Sequence, residues 1–285
     1  MLSPSGKLMG DLTITRLAPE RFWLVGSYYL QEWHLRWFND HLPPSGVRID
    51  NLSESWLGFS LSGPRSRDIL ARLTNADVSS AALPFMGACA FDVGVTRAIV
   101  ARVSLTGELG YEITVPAAQQ RALWEALTGF GREYGMRPIG MRAQDSLRLE
   151  KGYGVWSLEF AQSYTAAMCG LERYIAFDKG EFIGRAAALA ERATGPTQRL
   201  VLLAVDSEDA EVSGFEPVMA QDRRVGFVTS GAYGYHVRQS LALAYVDADI
   251  IAQAPGLTVP VVGVPRPARI LAQPPYDPQG LKPRS

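Results

Sequence analysis

From residue 199 onward the chain offers little besides short strands. RLVLLAV, RVGFVTSG, SLALAYV and LTVPVVG are brief Val- and Leu-rich runs separated by turn residues, and each is too short for an ordinary helix. This part of the chain is therefore confined to all-β architecture. The stretch ATGPTQ just before it has the composition of a linker, which places a domain boundary near Pro196 and divides the chain into residues 1–195 and 196–285. The tail QPPYDPQGLKPRS is Pro-rich and is expected to run extended over the surface.

The first part mixes periods. DLTITRL and RFWLVGS flank the turn signal Ala18-Pro19-Glu20 and read as a hairpin. Leu30, Trp33, Trp37 and Phe38 then recur at helical spacing until Pro43-Pro44 stops the pattern. VRIDNLS and WLGFSLSG read as strands, and PRSRDILARL as a helix entered at Pro64. FDVG, RAIVARVSL and GYEITVP are further strands. An amphipathic helix follows with Leu123, Leu127 and Phe130 on one stripe, then a second one over MRAQDSLRLEK that stops at Gly152. Helices interspersed with antiparallel hairpins make the class α+β.

With 285 residues, 28 Lys and Arg against 29 Asp and Glu, and no basic run, the chain has the composition of a globular protein and is a poor partner for nucleic acid. No apolar stretch approaches the roughly 20 residues of a membrane span, and the N-terminus lacks an apolar signal core, so a cytoplasmic protein is expected. Cys89 and Cys169 each stand alone, and His34, His41 and His236 are scattered without ligand spacing, so neither a disulfide framework nor a metal site is expected. No G-x-G-x-x-G follows a strand, which leaves no dinucleotide site for amine oxidation within the chain.

One residue breaks the economy of the strands. In GYEITVP, Tyr111, Ile113 and Val115 share a face, so Glu112 and Thr114 point the other way. A carboxylate there is either an exposed edge residue or a ligand group. Arg142, Asp145, Arg148 and Glu150 crowd the later helix, a run that by itself reads as a solvated face.

Four blocks carry a resemblance. GELGYEI, QDSLRLEKGYGVWSLEF, KGEFIGRAAAL and VGFVTSGAYGYHVRQSLALAYV resemble, in order, segments of the glycine-cleavage aminomethyltransferase family. Trp156-Ser157 and Gly234-Tyr235 depart from that family's usual Tyr-Gly and Ser-Pro pairs. Together with SLALAYV they are more similar to the C-terminal folate-binding half of dimethylglycine and sarcosine dehydrogenases.

The resemblance implies an aminomethyltransferase-like folate-binding body, ferredoxin-like in its α/β part, followed by a small C-terminal β-barrel. It also implies sequence upstream of the position matching Asp11, so that the body is expected to be incomplete at its N-terminus. Its activity would be a tetrahydrofolate-dependent one-carbon transfer linked to dimethylglycine or sarcosine demethylation. The partner would be a flavin dehydrogenase subunit or the upstream segment. The alternative is a folate-binding regulatory or structural subunit without catalysis. Relatives that support iron–sulfur assembly carry a cysteine in the segment reading KGEFIGR here, and this chain has none there.

Residue by residue, the resemblance gives Glu112 the pterin, whose adjacent N–H donors an acceptor-only carboxylate can receive side by side. Tyr111 of the same segment is counted with it. Asp11 matches the aspartate at the reacting nitrogen, against the plain reading of a turn residue. Arg148 would hold the glutamyl carboxylate, or else pair with Glu150 or Asp145. Tyr153 and Trp156 would wall the aromatic rings or pack in the core, and Tyr233, with Tyr235, is a further candidate of that kind.

Overall fold

The computed structural model describes residues 1–253 and 256–285. The described residues form two compact units, each assembled from separate stretches: Leu12–Gln144 with Gln279–Ser285, and Met1–Asp11 with Asp145–Pro278.

The Leu12–Gln144 unit begins with the expected hairpin, β1 (Thr13–Ala18) and β2 (Arg21–Val25), and continues into helix α1 (Gln31–His41). The strand expected at VRIDNLS does not form. Its polar side chains bond locally instead: Arg48 pairs with Asp50 at 2.9 Å and Asn51 accepts the Ser53 amide at 3.0 Å. Such local bonds offer the backbone an alternative to a ladder.

Next come β3 (Trp56–Ser62), α2 (Ser66–Arg72), β4 (Ala88–Val93), β5 (Thr96–Ala101), β6 (Gly110–Pro116) and α3 (Gln120–Gly131). The four strands make an antiparallel sheet in the order β3-β6-β5-β4. Its helix-covered face buries Leu61, Val100, Tyr111, Ile113 and Val115 against Leu70 of α2 and Leu123 and Leu127 of α3. Each of these larger side chains contributes about 1.5–3 kcal/mol by leaving water. Phe130, expected on the same stripe, lies instead at the surface under the Arg72 guanidinium. The Pro-rich tail also departs from expectation. Pro283 is buried in a short 3-10 turn, and the buried Arg102 donates to the carbonyls of Leu83 (3.0 Å) and Pro283 (3.2 Å).

The other unit holds most of α4 (Met141–Glu150), then α5 (Arg185–Thr194) and the C-terminal strands. β7 (Gln198–Val205), β8 (Pro217–Ala220), β9 (Arg223–Gly234), β10 (Gln239–Asp247), β11 (Leu257–Val261) and β12 (Val264–Leu271) close into a barrel in the order β10-β7-β12-β11-β8-β9; helix α6 (Ala248–Gln253) follows β10. Its interior is filled by Leu203, Val205, Val218, Val228, Ala242, Ala244, Val246 and Val259. Closure removes the free edges that so many short strands would otherwise expose. The glycines of VGFVTSG permit the tight fit. A Cβ on Gly226 would lie 2.1 Å from the Tyr245 carbonyl, and one on Gly231 2.2 Å from the Val212 carbonyl.

Candidate functional site

The β3-β6-β5 registers decide what surrounds Glu112. Ser60 and Ala101 stand directly across from it, and Gly58 and Ile99 across from Thr114, on the face away from the helices. Most of these neighbours are small, and Ile99 among them is buried. Glu112 is half-buried, and burial raises its pKa above the ordinary glutamate range. Its carboxylate makes no hydrogen bond or ion pair among the described residues. A carboxylate withdrawn from water without a donor is a cost to the fold that an N–H-bearing ligand would relieve.

Tyr111 lies on the opposite face. It is 1% exposed, and its hydroxyl accepts from Arg67 Nε at 3.2 Å, so the structure makes it a core residue of the helix-covered side and separates it from Glu112.

Asp11 ends the first stretch of the barrel-containing unit. That stretch is fastened by the Lys7–Thr165 bridge, by the Leu8 amide on the Tyr164 carbonyl at 2.9 Å, and by Leu8 packing with Ala166, Cys169 and Tyr245. The side chain reaches solvent, yet the protein packed around it raises its pKa, opposed by the Met1 ammonium. A carboxylate of raised pKa is a better proton acceptor than a free aspartate.

The reading of a solvated helix face holds for the exposed Arg142 and the half-exposed Asp145 but fails for Arg148 and Glu150, which are buried, as is Glu159 beyond the helix. Arg148 Nε donates to Asp145 at 2.8 Å, Nη1 to the Tyr153 carbonyl at 3.0 Å, and Nη2 to Ser230 Oγ at 2.9 Å; Nη1 also stands 3.6 Å from Glu159. The ion pair with Asp145, one of the partners expected for Arg148, is formed. Glu159 is 0% exposed and also accepts Thr229 Oγ1 at 2.6 Å, Ser230 Oγ and the Val155 amide at 2.9 Å. Glu150 accepts the His236 amide at 2.8 Å, and Lys151 pairs with Asp277 at 2.9 Å. The Thr-Ser pair of the VTSG segment thus serves a buried carboxylate. Sequence reasoning passed over Glu159; the signal was one acid within the otherwise weakly polar run VWSLEF.

Gly152 adopts φ +67° as expected of a helix stop. The Gly152 amide bonds Leu149 and the Tyr153 amide bonds Arg148, each at 2.9 Å. This cap sets the direction of Tyr153, which is half-buried. Trp156 packs against the Leu8–Tyr245 cluster. Tyr233, at the end of β9, meets Tyr235 edge-on at 5.1 Å. Asp11, Arg148, Tyr153, Trp156 and Tyr233 belong to one unit, Glu112 and Tyr111 to the other.

Comparison with known proteins gives the arrangement its family. Residues 1–179 match the GCVT N-terminal domain, and residues 198–277 the glycine cleavage T-protein C-terminal barrel domain. Human mitochondrial dimethylglycine dehydrogenase is 31% identical over 277 residues, covering 96% of this chain and 32% of that protein. The chain thus spans about a third of the dimethylglycine dehydrogenases it matches. An aminomethyltransferase of Thermoanaerobacter sp. (strain X514) is 30% identical over 250 residues, covering 87% of this chain and 67% of that enzyme. The crystal structure of the glycine cleavage system aminomethyltransferase T from Bartonella henselae superposes with a TM-score of 0.86 at 24% identity, over 98% of this chain and 75% of that one, and establishes the fold. With both domain models matched and the barrel closed, the chain belongs to the glycine-cleavage T-protein, or aminomethyltransferase, family.

Proposed function

We propose that this chain is a tetrahydrofolate-dependent one-carbon transferase module, acting beside the oxidative demethylation of dimethylglycine or sarcosine. The observation that carries the reading is Glu112: a half-buried carboxylate of raised pKa, without a partner among the described residues, on a sheet face of mostly small residues. Family membership supplies the ligand class, and likeness to dimethylglycine dehydrogenase supports the choice of amine. The folate-binding part is residues 1–195 and the barrel part 196–285.

Tetrahydrofolate supplies two nucleophilic nitrogens, which combine with formaldehyde to give methylene-tetrahydrofolate and water. Glu112 receives the N–H donors of the pterin edge, each such charge-assisted bond being worth roughly 1.5–3 kcal/mol. Asp11 accepts the proton that leaves the folate nitrogen as its bond to carbon forms. Trp156 and Tyr153 are the aromatic residues that the family resemblance gives to the folate rings. Arg148, held by four internal acceptors, positions the Tyr153 segment and acts on the site through it. The amine would be oxidised by a flavin dehydrogenase subunit or segment.

The test is turnover of formaldehyde and tetrahydrofolate to methylene-tetrahydrofolate by the purified chain, with the uncatalysed rate subtracted. The expected result is a catalysed rate that falls 100-fold or more in Asp11→Asn, roughly the worth of a positioned base. Its acid limb should lie above the ordinary aspartate range, because burial raises the pKa of Asp11. An Asp11→Asn variant as fast as the parent chain would remove Asp11 from the mechanism.

A further inference from the structure

The open end of the barrel holds a cleft of about 640 Å³. It is lined by residues of one unit only, and Tyr233 is the one residue it shares with those that the family resemblance gave to folate. Its size falls within the range of about 300–1,000 Å³ usual for small-molecule sites. Its floor follows from strand register. Ser240 stands across from Val205 on one side and Tyr233 on the other, and Ala268 continues the row beyond Val205. Ser240 has the same parity along β10 as Ala242, Ala244 and Val246, so it belongs to the interior row at the point where the packed core ends.

Two features of this cleft have no role within the fold. Ser240 is 3% exposed, and its Oγ is buried without a hydrogen-bond partner among the described residues. Ser240 is among the residues that line the cleft, and Val205 and Tyr233 stand across the ladders from it. Around the rim stand Asp206, Glu208, Arg238 and Arg269, and none of these four charged side chains is engaged in an ion pair or hydrogen bond among the described residues. The contrast is local, since nearby Arg266 is taken by Asp209 at 2.6 Å.

We propose that the cleft binds a free amino acid with an apolar or aromatic side chain. The rim carries two cations and two anions. A simple anion would face both carboxylates and a simple cation both guanidiniums, whereas a zwitterion matches each sign with its opposite. The ligand carboxylate meets the guanidiniums, its ammonium meets Asp206 and Glu208, and its side chain covers Val205, Ala268 and the Tyr233 ring. The Ser240 hydroxyl donates to the carboxylate, which gives the buried orphan a partner.

The experiment is saturation-transfer NMR of the whole chain against the twenty protein amino acids, followed by calorimetric titration with phenylalanine and with N-acetylphenylalanine amide. The expected result is saturable one-to-one binding of phenylalanine and none of the uncharged derivative. Affinity should fall at least tenfold in Arg269→Gln and in Asp206→Asn, both exposed positions whose loss leaves the fold intact. Ser240→Ala should weaken binding three- to tenfold without lowering the melting temperature. Glu112→Gln should bind phenylalanine normally, which separates this site from the folate reading. No binding of any amino acid by the folded chain overturns the proposal, as does binding that ignores Arg269→Gln and Asp206→Asn. Displacement of phenylalanine by folinic acid would assign the cleft to folate and overturn it as well.

Discussion

Replacing Arg148 with methionine tests whether the buried polar network of the barrel unit is structural. The side chain is 2% exposed and faces Glu159 at 0%, while the Asp145 end of its contacts is 47% exposed. Methionine fills much of the same volume but leaves Glu159 as a buried charge without its cation. Removing one partner of a buried pair costs about 3–5 kcal/mol. The half-exposed Asp145 pair adds only a few tenths to about 1 kcal/mol. With a urea dependence of about 2 kcal/mol per molar, the unfolding midpoint of this unit should fall by about 2 M. Adding Glu159→Gln removes the stranded charge, so the double variant should recover about 1–3 kcal/mol instead of losing more. Urea unfolding followed by tryptophan fluorescence reads both. A loss under about 1 kcal/mol in Arg148→Met, or simple additivity in the double variant, would refute the account of α4. Folinic acid affinity in the folded Arg148→Met variant decides the remaining question. A small change agrees with positioning through Tyr153, and a loss of 100-fold or more means direct contact with the folate tail.

Glu112→Gln should stabilise the ligand-free chain by about 1 kcal/mol, discounted for partial exposure from the usual cost of an unpartnered buried polar group. The pH dependence has a definite sign. Because burial raises the folded-state pKa of Glu112, the folded chain binds the proton more tightly than the unfolded one. The residue therefore costs nothing below the ordinary glutamate pKa, and its penalty grows as pH rises through the folded value. Thermal melts of parent and variant should coincide at pH 4 and diverge by pH 7; identical melts at pH 7 would contradict it. Cys169, bonded to Tyr245 at 3.0 Å, is pushed up to about 11 by burial, whereas Cys89 is exposed. Iodoacetamide at pH 8 should add one label to the native chain and two in urea, counted by mass spectrometry. Two labels on the native chain would refute the packing of the Leu8–Tyr245 cluster.

The elements that were legible in the sequence are those in which one periodicity dominates. The β1–β2 hairpin, α3, β6 and the stop at Gly152 follow from alternation, a helical stripe and a glycine that only a left-handed cap requires. β12 was not legible, because Pro265 and Pro267 mark a segment as non-strand. It forms all the same, as the strand that joins β7 to β11 and so helps close the barrel. The buried charges of α4 were illegible for another reason. A salt-bridged core helix and a solvated one have the same composition, and only the partners Glu159, Thr229 and Ser230, distant in sequence, distinguish them. Glu112 lay between these cases. Alternation gave its face, but the absence of any partner there appears only in three dimensions.

The most direct test of the central claim is calorimetric titration of the purified chain with folinic acid, for the parent and for Glu112→Gln. The account predicts saturable one-to-one binding by the parent chain. In the variant it predicts a loss of about 10- to 150-fold, the equivalent of one charge-assisted bond at roughly 1.5–3 kcal/mol. Equal affinity in the two would contradict the assignment of the carboxylate on β6 to the pterin.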